Sequence, residues 1–164
     1  MKHALSASLL AITVCAAASY AAEVTRYPLP DNSTFPIAAA VEVPGNAVVY
    51  ESGKVPAPRD PTAKGDPAAF WGNTEEQTDS VLGRIEASLK AKGLDMGDVV
   101  KMTVFLVGDP AMGGKMDFAG FMKSYSRHFG TEAQPNLPAR SAVQVAGLVA
   151  EGMLVEIEVI AVRP

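Results

Sequence analysis

Arg140 is the residue around which chemistry can be built. In Pro138-Ala139-Arg140-Ser141 a rigid proline turn delivers an arginine into a buried-looking strand, Ala139 to Val145, so its guanidinium is not free to wander in solvent. A planar fork matches a carboxylate through two parallel hydrogen bonds, which a lysine could not reproduce. Further on, Val155, Ile157, Val159 and Ala161 alternate with Glu156 and Glu158, which places the two carboxylates together on the second face of a strand. Either that face meets solvent or it lines a polar interface or pocket. Two readings of Arg140 stand side by side: an anchor for a small carboxylate, or a structural ion pair with Glu156 or Glu158.

Other chemistries lack parts. Cys15 is the single cysteine, and His128 is the one histidine beyond His3. A His/Cys zinc site or a Ser-His-Asp or Cys-His nucleophile therefore has almost nothing to be built from. Gly113-Gly114 is an isolated turn signal rather than a phosphate cradle. The formal charge of −4 argues against nucleic acid or an anionic membrane as the main partner. What remains is chemistry done by a pocket of backbone groups, an arginine and a carboxylate.

The elements that must position these residues can be read in turn. Residues 23–36, with Pro28, Pro30, Asp31 and Asn32, read as an irregular lead-in. Ala38 to Val43 and Ala47 to Tyr50 read as strands around the turn Pro44-Gly45-Asn46. Residues 54–72 carry four prolines and read as a long surface loop without helix, with Trp71 as its anchor. Thr74-Glu75-Glu76-Gln77 reads as a capping box, and Val81, Leu82, Ile85 and Leu89 share one face of the helix that follows. Val99 to Val107 is a strand. Phe118, Phe121, Met122, Tyr125 and Phe129 form the apolar stripe of a second helix, read as core, with His128 beside it as a structural or surface residue. Ala139 to Val145 and Leu154 to Val162 complete an order β-β-α-β-α-β-β in one domain, residues 23–164.

Residues 1–22 have the order of a secretory signal. A basic start at Lys2 precedes an apolar stretch from Ala4 to Ala18, and small residues cluster at Ser19, Ala21 and Ala22. The stretch is short for a membrane span, and Val14 before Cys15 does not suit a lipid anchor. Cleavage after Ala21 or Ala22 yields a periplasmic or secreted domain without cysteine, with no membrane attachment, and shifts the formal charge from −4 to −5 by loss of Lys2.

Several segments in register are similar to the RidA/YjgF family. They are Ser52-Gly53 before the proline loop, Gln77-Thr78 with Leu82 and Ile85, and Asp98-Val99-Val100-Lys101-Met102-Thr103-Val104-Phe105-Leu106. Asp117-Phe118-Ala119, Pro138-Ala139-Arg140-Ser141 with Val143-Gln144-Val145, and Val155 to Val162 continue the match over residues 37–163. The resemblance implies an α+β, chorismate-mutase-like fold, a mixed sheet with two helices on one face, assembled as a homotrimer with clefts between subunits. It implies cofactor-free hydrolysis of reactive enamines and imines to 2-keto acids and ammonia. By that resemblance Arg140 and Glu156 are the catalytic residues: Arg140 holds the substrate carboxylate and Glu156 places or activates water. Ser52, Gly53 and Ala142 join Arg140 in binding substrate. Three positions depart from the family pattern: Ala142 stands for a cysteine, Ala39 for a tyrosine and Met122 for an asparagine. These departures imply weaker imine hydrolysis or a bulkier, more apolar substrate. A non-catalytic module binding a small carboxylate in the same cleft is the alternative, and an interaction protein using the 54–72 loop is a third reading.

Overall fold

The computed structural model describes residues 25–28, 30–31, 40–43, 45 and 47–163. The export signal expected at residues 1–22, with Cys15 inside that stretch, and the Ala39 departure lie outside the described residues. Six strands form one sheet in the order β1-β2-β3-β6-β4-β5. They are β1 (Thr25–Tyr27), β2 (Ala40–Val43), β3 (Val48–Lys54), β4 (Val99–Val107), β5 (Ala139–Val145) and β6 (Val155–Val162). Neighbours are antiparallel except β4 and β5, which run parallel because the chain crosses over between them through a helix.

Two long helices, α2 (Thr74–Lys90) and α3 (Phe118–His128), pack on each other and cover one face of the sheet. Alternation makes that face. Val155, Ile157, Val159 and Ala161 of β6, and Met102, Val104 and Leu106 of β4, are buried beneath Val81, Leu82, Ile85 and Leu89 of α2 and Phe121 of α3. The sequence period of two in the strands and about 3.6 in the helices meets there in a single core. The opposite face carries Tyr50, Thr103, Phe105, Glu156, Glu158 and Ile160, and the described residues put no helix over it.

Four expectations need correction. The lead-in contains a strand: β1 pairs with β2, and the Tyr27 hydroxyl donates to Glu42, which also takes Arg163 at 3.2 Å. These bonds hold Glu42's carboxyl below the usual carboxylate range, the Tyr27 hydrogen bond contributing most and Arg163 next. The proline loop contains a short helix, α1 (Pro67–Trp71). Pro67 occupies its first turn, where the missing N–H costs nothing, and the Asp66 side chain accepts from the amides of Ala68 and Ala69. Trp71 is the anchor expected of it, with Nε1 donating to Glu151 O at 2.9 Å. The cap of α2 is Asn73 rather than Thr74; Asn73 accepts from Glu76 N, and the Glu76 carboxylate accepts from Asn73 N. Asparagine is as strong a cap as threonine, and Glu76 stands three residues beyond it. Last, β5 is not a buried strand. It is the sheet's edge, and most of its residues are exposed or half-buried.

One irregularity prepares the site. Glu51 pairs with Val159 and Lys54 with Ile157, so Ser52 and Gly53 together oppose the single residue Glu158. Such a bulge twists the strand and releases it from the regular ladder. It also brings Glu51 and Lys54 to the same side, where Glu51 is fully buried against Lys92 at 2.8 Å and Lys54 at 3.2 Å.

Candidate functional site

Arg140 pairs with Met102, and Met102 with Val159, so all three project to the helix face. There the guanidinium lies over the aromatic stripe of α3, 4.2 Å from the Tyr125 ring centroid, 5.0 Å from Phe121 and 5.8 Å from Phe118. The face of an aromatic ring is its electron-rich side and attracts a cation. Arg140 Nη1 donates to Met122 Sδ at 3.3 Å, a weak acceptor. Among the described residues no carboxylate forms an ion pair with Arg140. The structural ion pair with Glu156 or Glu158 does not form, because those carboxylates project from the other face of the sheet. A flat, half-buried guanidinium held by rings from below keeps its hydrogen-bonding edge for an anion. Burial pushes the Tyr125 phenol up, against the pull of Arg140, so the ring stays neutral beneath the cation.

Ala142 lies two residues along on the same face and packs partly buried against the core. Gln144, the next residue on that face, is already engaged: it accepts from Met116 N at 2.9 Å and donates to Gly114 O at 3.0 Å. Apart from the Tyr125 hydroxyl, the side chains around Arg140 are therefore apolar.

Gly53 and Glu156 meet on the opposite side. Glu156 pairs with Phe105 and projects from the open face. A Cβ at position 53 would overlap Glu156 Oε1 and stand 3.0 Å from Cδ and 3.1 Å from Cγ. The glycine is thus the reason the carboxyl can lie against the Ser52-Gly53 bulge. Backbone and carboxylate together make a polar corner suited to holding a water. Of the sequence-predicted residues, then, the fold brings together Ser52, Gly53 and Glu156 in one group and Arg140 and Ala142 in another. Within a single chain the two groups are separated by the thickness of the sheet.

Sequence reasoning missed two features. Helical spacing assigns Phe118 to the core, yet it is 40% exposed, beside Arg140 at the start of α3. Its helical spacing with Phe121 conceals that it occupies the first turn of α3. A cavity of about 500 Å³ also lies between α1, the first turn of α2 and the 109–111 and 151–154 segments. Arg59, Asp66, Asn73, Glu76 and Asp109 line it, and none of the predicted site residues does. Most of these polar groups serve the fold: Asp66, Asn73 and Asp109 cap helical turns, and Arg59 holds Glu76 at 2.9 Å. His128 is likewise structural, resting 3.4 Å from Asp79.

The chain can now be set beside known proteins. It is 37% identical over 117 residues to TdcF of Escherichia coli K12, named as a candidate reactive intermediate deaminase, covering 71% of this chain and 80% of that protein. It is 37% identical over 128 residues to a RutC family protein of Haemophilus influenzae, covering 78% and 87%. A crystal structure of E. coli TdcF with bound serine superposes with a TM-score of 0.61 at 32% identity, covering 80% of this chain and 91% of that one. The YjgF gene product of E. coli does so with a TM-score of 0.61 at 34% identity, with the same coverage. The profile of the family described as Endoribonuclease L-PSP matches residues 29–163, nearly the whole described domain, and the chain belongs to that family, which includes the RidA and YjgF proteins.

Proposed function

We propose that this protein hydrolyses reactive enamines and imines to 2-keto acids and ammonia, in clefts that form where the Arg140 side of one chain meets the Gly53–Glu156 side of another. The observation that carries the reading is Arg140, a positioned guanidinium with no carboxylate partner among the described residues. Its chemistry is that of a receptor for the substrate carboxylate. Glu156 then holds a water whose oxygen adds to the electrophilic carbon of the C=N bond. The nitrogen takes up protons, the carbon–nitrogen bond breaks, and ammonia leaves a 2-keto acid. The open sheet face, with Tyr50 and Val143 exposed, supports assembly through that face into a homotrimer. Residues 1–22 support export, so the proposed site of action is the periplasm or the medium.

The ribonuclease of the family's description is not the reading favoured here. A formal charge of −4 gives no electrostatic drive toward a phosphate backbone. A second reading does have an observation behind it: the TdcF structure holds serine, a small carboxylate. The same cleft could serve this chain as a binding site without turnover.

The test generates an imino acid in situ with an amino-acid oxidase and catalase and follows keto-acid release. Acceleration over buffer that disappears in Arg140→Ala is the expected result. Equal rates for wild type and Arg140→Ala would overturn the proposal. Arg140-dependent thermal stabilisation by keto acids without turnover would establish the binding module instead.

A further inference from the structure

We infer that the Arg140 half of the cleft selects imino acids bearing large apolar side chains, aromatic ones above all, and that Phe118 and Met122 determine this selection. The inference rests on the deaminase reading and assigns its substrate class. Within about 6 Å of the guanidinium stand three aromatic rings and a thioether, and Ala142 contributes a methyl on the same strand face. The nearest polar side chain along that face, Gln144, has both its amide oxygen and nitrogen committed to the 114–116 backbone. The Tyr125 ring is beneath the cation and is buried, so its face is occupied.

A substrate held here by its carboxylate must direct its side chain along this surface. A small polar side chain would give up water and find on this surface only the Tyr125 hydroxyl, which already faces Arg140, and that costs free energy. A large apolar one would cover Phe118, which is 40% exposed and leans toward Phe121 with centroids 5.8 Å apart. Removing that ring from water favours the bulky ligand. Met122 is suited to the same task, since its unbranched thioether adapts to the shape of an apolar neighbour and tolerates an aromatic edge. Its sulfur is too weak an acceptor to compete with a carboxylate for Nη1, so it lines the site without closing it.

The experiment compares kcat/KM for imino acids generated from phenylalanine, methionine and alanine. The phenylalanine-derived imine should exceed the alanine-derived one by about tenfold or more, the usual scale for an apolar pocket discriminating by size. Phe118→Ala should reduce that ratio severalfold, Phe118→Leu should fall between, and Met122→Asn should also reduce it. A preference for the alanine-derived imine, or a ratio unchanged in both Phe118→Ala and Met122→Asn, would overturn the inference while leaving the deaminase reading intact. If no imine is hydrolysed faster than in buffer, the deaminase reading fails, and calorimetric titration still reads the pocket. Tighter binding of phenylpyruvate than of pyruvate, lost in Phe118→Ala, would support the selection; equal affinities would refute it.

Discussion

Replacing Gly53 with alanine tests whether the carboxyl of Glu156 works from the position it occupies. The new Cβ would stand 3.0 Å from Cδ and 3.1 Å from Cγ, and would overlap Oε1. Non-bonded carbons settle at about 3.5–4.0 Å, so the carboxyl must retreat by roughly 1 Å. The backbone is not the obstacle, since Gly53 is absent from the glycines of positive φ. Stability should therefore change by no more than about 1 kcal/mol. Catalysis should not be spared. A displacement of about 1 Å in a positioned group costs on the order of 100-fold in rate, about 2.7 kcal/mol in the barrier. The assay is steady-state imine hydrolysis for the two single variants, Gly53→Ala and Glu156→Ala, and the double variant. If the alanine acts by moving the carboxyl, it should add little in the Glu156→Ala background, a strongly non-additive cycle. A wild-type rate in Gly53→Ala, or fully additive losses in the double variant, would refute the reasoning.

Three further outcomes follow from the fold and the proposed export signal. Gln77 is buried and bridges Gly72 O, Gly152 O and Leu154 N, so Gln77→Ala should cost about 3 kcal/mol in urea unfolding followed by Trp71 fluorescence; a loss under ~1 kcal/mol would contradict the bridge. Burial pushes the Asp79 carboxyl up, but hydrogen bonds from Arg127, His128 and Ser124 outweigh it and hold it below the usual carboxylate range. Its contribution is then present above that range and lost as pH falls through the lowered value. The melting-temperature gap between wild type and Asp79→Asn should narrow on acidification, and a gap independent of pH would contradict this. Protein recovered from outside the cytoplasm should have the intact mass of a chain beginning at Ala22 or Glu23; an unprocessed mass would refute cleavage there.

The sequence made the core legible because strand alternation in Val155 to Val162 and helical spacing in Val81 to Leu89 each admit one buried face. It made Arg140 legible too, through the proline turn before it. Alternation placed Glu156 on the face opposite the apolar one, but it could not reveal which side of the sheet Arg140 and Gly53 would reach, since that depends on strand register and on the bulge at Ser52-Gly53. The register places Arg140 with Met102 and Glu156 with Phe105, on opposite faces. Nor could periodicity separate Phe118 from the buried members of its stripe, because helical spacing does not tell the first turn of a helix from its packed middle. The short helix at Pro67 was hidden by proline content, which signals a loop unless the proline falls in a first turn with Asp66 as its cap.

The central claim is that Arg140 and Glu156 act in one cleft from two different chains. Co-expressing Arg140→Ala and Glu156→Ala under two different affinity tags, and purifying through both, isolates mixed oligomers of two defective chains. In a closed ring of three, each mixed assembly contains one cleft with both residues intact, so about a third of the wild-type rate should return. No recovery in mixed trimers, with each variant alone inactive, would contradict the claim.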